Sequence, residues 1–172
     1  MTTDAHDEAT AAERAWEERV EQVWSSSHQL DEASLLRAIK ALTDECAPDD
    51  PVALFEQASA FDSTGHPDRA VALYQRALAG GLSGVRRRRA TIQLASSLRN
   101  LGRPSESVAL LRAELAAPSD DLDDAVRAFL ALALVDAGHE REAVALALSA
   151  LARHLPRYQR SLVNYAREID GS

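Results

Sequence analysis

Three stretches of this 172-residue chain repeat one another, and that constrains its fold more than any other feature. Gly65, Gly102 and Gly138 are each followed five positions later by a related tetrapeptide. These are Ala70-Val71-Ala72-Leu73, Ser107-Val108-Ala109-Leu110 and Ala143-Val144-Ala145-Leu146, offset by 37 and then 36 residues. A further matched pair closes each copy: Ala77-Leu78, Glu114-Leu115 and Ala150-Leu151. A period of this length marks stacked units, each too small to bury its apolar face alone.

Upstream of each glycine lies a second matched set: Leu54, Ala58 and Phe61; Leu94, Ala95 and Leu98; Leu130, Ala131 and Leu134. Steps of three and four, and of seven across the first set, place each set on one helical face. The glycine supplies a left-handed stop, and Pro67 and Pro104 suit the first turn of the next helix. Each copy reads as helix, tight turn, helix. Small Ala58, Ala95 and Ala131 allow close approach of two helices, as do Ala70 and Ala143. Composition agrees: 33 Ala and 23 Leu against 5% aromatic residues favour helix and exclude an all-β fold.

These residues resemble the tetratricopeptide repeat. Leu54, Ala58, Phe61, Gly65, Ala70, Tyr74 and Ala77 fit its pattern of large, small, aromatic, Gly and Ala positions. The second copy keeps Leu94, Ala95, Leu98, Gly102 and Pro118; the third keeps Leu130, Ala131, Leu134, Gly138, Ala143, Ala150 and Pro156. The likeness covers about residues 52–155. With RRRRATIQLASSLRNLGR at its centre, the whole chain also resembles a compact bacterial group of tetratricopeptide proteins. The implied fold is all-α, a right-handed superhelix of helix-turn-helix repeats with flanking helices.

Within that frame the expected organisation is an acidic N-terminal segment over 1–30 and a repeat domain over 31–172. The domain divides into a half-repeat helix 31–47 and repeats 52–84, 85–120 and 121–155. A capping helix follows at 156–170, with Leu162, Tyr165, Ala166 and Ile169 on its apolar face. Leu35, Ile39, Leu42 and Cys46 form the stripe of the half-repeat helix, which Asp31 caps. An amphipathic helix over 9–26 carries Ala12, Trp16, Val20, Val23 and Trp24. That stripe suits a cap on the neighbouring helices, the protein's own groove, or another chain.

The net charge of -8 argues against nucleic acid or anionic membrane as a partner. Residues 1–50 hold 4 basic and 13 acidic residues, so the acidity belongs to the N-terminal segment. A single cysteine precludes an internal disulfide, and no signal peptide or membrane-spanning run is read. A cytoplasmic setting follows.

No catalytic constellation emerges, and no metal or cofactor is expected. His66 and His139 occupy the same turn position, Cys46 suits a small core residue, and Gly80–Gly84 lacks the lysine of a phosphate loop. The acidic run at Asp120, Asp121, Asp123 and Asp124 suits a helix N-terminus. Arg86–Arg89 do not; they are either a solvated helix start or a demand for negative charge, supplied by the acidic N-terminal segment or by an external acidic peptide.

The family resemblance implies a concave groove lined by the first helix of each repeat. Its expected residues are Phe55, Arg89, Gln93, Ser96, Arg99, Asn100 and Phe129, with Ser59, Asp62, Ala128, Leu132 and Asp136 beside them. Lys and Asn positions of a carboxylate clamp are not reproduced. The function this implies is a non-enzymatic module that holds a protein or peptide segment, with an acidic one suiting the arginines. The alternative is a homo-oligomeric scaffold assembled through the Trp-bearing N-terminal helix.

Overall fold

The computed structural model describes the backbone of residues 2–171 and, outside 2–10 and Asp170, their side chains. Among the described residues there are nine α-helices and no strand: α1 Thr2–Ser25, α2 Glu32–Thr43, α3 Pro51–Ser63, α4 Pro67–Ala79, α5 Gly84–Asn100, α6 Pro104–Leu115, α7 Asp123–Asp136, α8 Glu140–Ala152 and α9 Gln159–Asp170. The pairs α3–α4, α5–α6 and α7–α8 are the three copies read from the sequence.

Each turn is built alike. Gly65, Gly102 and Gly138 sit at φ of 82°, 73° and 80°, the left-handed region that a side chain disfavours. One residue later the N–H of His66, Arg103 or His139 donates to the carbonyl of Phe61, Leu98 or Leu134 at 2.9, 3.0 or 2.8 Å. This is the Schellman closure, which satisfies an otherwise orphaned helix-end carbonyl.

The small residues act as expected. Ala58, Ala70 and Ala95 are 0% exposed, and Leu54, Leu94 and Leu98 close around Tyr74 in a core shared by α3, α4 and α5. A second core joins α5, α6, α7 and α8 around Leu111, Val126, Leu130 and Leu134. Each buried leucine contributes about 1.5–3 kcal/mol relative to exposure. A third cluster sets Val23, Trp24 and Leu36 against Leu35, Ile39 and Ala60.

Packing runs between sequence neighbours, and α5 also touches both α3 and α7 side by side. The even-numbered helices α4, α6 and α8 approach one another less closely, α6 and α8 meeting through the Arg112–Glu142 ion pair. The array therefore curves toward α3, α5 and α7, which form its inner wall.

Two helices differ in detail from the sequence reading. Asp31 caps α2 by accepting from Ser34 N–H at 2.7 Å, but the helix ends at Thr43 rather than 47, and Cys46 lies half-buried beyond it. Pro48 keeps Ala47 out of helical geometry, and the chain leaves the helix ahead of it. On α9 Ala166 is buried, whereas Tyr165 is 60% exposed.

Candidate protein-binding groove

The arginine run opens α5, at the middle of the inner wall. Arg86 donates from Nη1 to Glu17 Oε1 at 3.0 Å and from Nε to Glu56 Oε1 at 3.2 Å. Arg87 bonds Glu114 Oε2 at 2.9 Å. Arg88 is almost wholly buried; it donates to Asp123 Oδ1 at 2.7 Å and to the Pro118 carbonyl at 2.9 Å, and also pairs with Asp120. The demand for carboxylates is thus met largely inside the chain, partly by the acidic N-terminal segment. Buried guanidinium groups need such partners to offset lost hydration. The acidic run before α7 serves the same network: Asp120 and Asp123 meet Arg88, and Asp124 meets Arg127, Arg153 and His154.

Arg89 is the exception. It is exposed and, among the described residues, pairs with no carboxylate; its guanidinium lies 5.4 Å over the Phe55 ring. Phe55 itself is 0% exposed and packs 6.2 Å from Tyr74. It belongs to the core rather than to a groove surface, because it points beneath Arg89 while its neighbour Glu56 turns toward α1.

From Arg89 a polar stripe follows α5. Gln93 is half-buried, with its Oε1 enclosed and without a hydrogen-bond partner among the described residues. Ser96 and Arg99 are half-buried, and Asn100 is exposed at the helix end. Arg99 Nε donates to Asp136 Oδ2 on α7 at 2.6 Å, so this cation is already matched. On α7, Phe129 is half-buried against the second core, while Leu132 and Val135 are each 47% exposed. Val135 holds the register position of Asp62 and Arg99, so counting back from the turn glycine is the signal that locates it.

The α3 side joins the stripe through a cavity of about 300 Å³ bordered by Ser59, Asp62, Ser63, Arg89, Gln93 and Trp24. Asp62 accepts from Ser97 Oγ at 2.8 Å, and burial holds its carboxyl above the ordinary range against the pull of that bond. Trp24 is one of the cavity's walls, and its stripe suits both the neighbouring helices and the protein's own groove. Its indole N–H donates to Glu56 Oε2 at 2.7 Å, while Trp16 donates to the Leu42 carbonyl at 2.8 Å and Val20 is 3% exposed. The Trp-bearing stripe of α1 therefore rests on α2 and α3.

A protein-family model described as Tetratrico peptide repeat matches residues 51–169. The chain belongs to the tetratricopeptide repeat family. The match begins with α3 and runs through α9, extending the likeness past residue 155. Searches of curated proteins and of solved structures returned no match. Membership in the tetratricopeptide repeat family makes protein–protein interaction the general role, and such arrays are typically non-enzymatic. Among the described residues no helix is long and apolar enough to cross a membrane, and no cluster of His, Cys, Asp and Glu has metal-binding geometry.

Proposed function

We propose that this protein is a non-enzymatic, cytoplasmic interaction module that holds a segment of another protein along the inner wall of α3, α5 and α7. Arg89, Gln93, Ser96 and Asn100 supply polar anchors, and Phe129, Leu132 and Val135 an apolar stretch. The observation carrying this reading is the contrast within one helical turn. Arg86, Arg87 and Arg88 are matched by carboxylates of the chain, and Arg89 is left exposed beside the unpartnered Gln93 oxygen. A charge and an amide so placed favour a ligand with an acidic side chain near Arg89, followed by apolar residues toward α7.

The test is a peptide array probed with the intact protein, then with Arg89→Ala and Leu132→Asp. Loss of the same spots in both variants is expected. Unchanged spots in both overturn the assignment. Assembly through α1 receives less support, because Trp16 and Trp24 engage their indole N–H groups within the chain.

A further inference from the structure

The outer side of the array carries a second concavity, unrelated to the inner wall. Between α2 and α4, over the back of α3, lies a cavity of about 490 Å³. Leu36, Ile39, Phe61 and Leu73 make it apolar; Arg37, Lys40 and Arg69 rim it, and no carboxylate lines it. Arg69 stacks on Phe61 at 3.7 Å, which fixes a cation over the apolar floor. Neither Arg37 nor Arg69 has a carboxylate partner among the described residues, and Lys40 pairs with Asp44, the residue that caps the end of its own helix.

The repeat register shows what is unusual about this rim. Lys40, Gln75 and Arg112 hold the same place after the N-caps Asp31, His66 and Arg103. Arg69, Glu106 and Glu142 likewise hold one place after His66, Arg103 and His139. Between α6 and α8 these two positions join across the groove, Arg112 Nη2 to Glu142 Oε1 at 2.6 Å. Between α2 and α4 the same two positions are both cationic. Glu32 and His66 tie the starts of α2 and α4 together at 2.7 Å, but along the trough the facing positions carry like charges, and its rim is left to attract an anion.

We infer that the α2–α4 groove docks an acidic amphipathic segment of a partner protein, with bulky apolar side chains on the floor and Asp or Glu against the unmatched Arg37 and Arg69, beside Lys40. Charge complementarity selects this occupant. The open trough between two helices favours a segment that brings its own covering face over a small molecule that would need enclosure. This surface is independent of the inner wall.

The experiment is fluorescence anisotropy with the full chain and a labelled model peptide. The peptide carries Leu and Phe at helical i, i+3, i+4 and i+7 positions and Glu elsewhere; a counterpart replaces every Glu by Lys. Saturable binding of the acidic peptide alone is expected, weakening with salt. Arg69→Glu places a carboxylate opposite Lys40, as Glu142 stands opposite Arg112. It is expected to weaken binding by roughly tenfold or more without lowering the melting temperature. If that variant folds poorly, Arg37→Gln with Arg69→Gln carries the test and also loses affinity, whereas Arg89→Ala keeps it. Equal binding of the Lys peptide, no binding of the acidic one, or loss in Arg89→Ala instead of Arg69→Glu overturns the proposal. So does displacement of the peptide by low decanoate, which identifies a small-acid site. A mass by light scattering that depends on Arg69 identifies a second copy as the occupant and overturns it equally.

Discussion

Arg88 and Asp123 meet at 2.7 Å, with the arginine side chain 3% exposed, and their contact fastens the second turn of α5 to the first of α7. Glu114, 4% exposed on α6, stands 3.3 Å from Arg88 Nε and is held by Arg87 as well. Three helices of two successive repeats therefore share one buried charge cluster. Its removal is not symmetric with its absence: deleting one member leaves the others desolvated and unmatched.

Arg88→Met is accordingly expected to lower stability by about 3 kcal/mol, since Asp123 and Glu114 keep only part of their pairing. For a domain of this size that is roughly a 10 °C fall in melting temperature, read by circular dichroism. A shift within error would show that the cluster contributes no net stability.

Phe55 and Arg89 make separable contributions. Phe55→Ala is expected to cost about 4 kcal/mol through the cavity left beside Tyr74, and Phe55→Leu about 1.5 kcal/mol or less. Peptide binding to the inner wall should survive in Phe55→Leu and fall in Arg89→Ala. Binding that tracks Phe55 in a fully folded variant would return that ring to the groove surface.

Trp24 fastens α1 to the array. Trp24→Ala removes its packing on Leu35, Ile39 and Ala60 together with the bond to Glu56, an expected loss of about 3 kcal/mol. Limited proteolysis should then cut ahead of α2 far sooner than in the parent chain. Equal protection would mean that Trp16 and Val20 suffice.

Acid acts on two sets of carboxyls in opposite senses. The hydrogen bond from Ser119, with that from Arg88, holds Asp123 below the ordinary range. For Asp124 partial burial opposes ionisation, but His154, Arg153 and Arg127 outweigh it and the value is again lowered. Groups lowered on folding contribute stability that is present above the unfolded value and lost as pH falls through the folded one. Asp62 is raised by burial, so its contribution is full at low pH and lost as pH rises through its folded value. Melting temperature should therefore drop between about pH 5 and about pH 2, less steeply in Asp123→Asn, and Asp62→Asn should be no less stable than the parent at about pH 7.

The hairpins were legible because their signals are local: a glycine at fixed distance from an alanine, a proline after it, a leucine stripe before it. Phe55 was misplaced because Leu54 and Phe55 are adjacent, and a helical wheel cannot say which lies deeper until α5 and Arg89 close over them. The partners of Arg86 to Arg88 were legible only as a demand for negative charge. Glu17 lies 69 residues from Arg86 and Glu114 lies 27 from Arg87, and nothing in the spacing names them. The α2–α4 cavity was not legible either. It arises from helices standing apart, whereas periodicity records only faces that meet.

Since most helix packing joins elements one or two places apart along the chain, the Glu17–Arg86 pair between α1 and α5 aside, folding need seldom wait for distant segments to find each other. A polypeptide leaving the ribosome can settle each hairpin as the next appears, growing from its leading end like a zip with few wrong teeth.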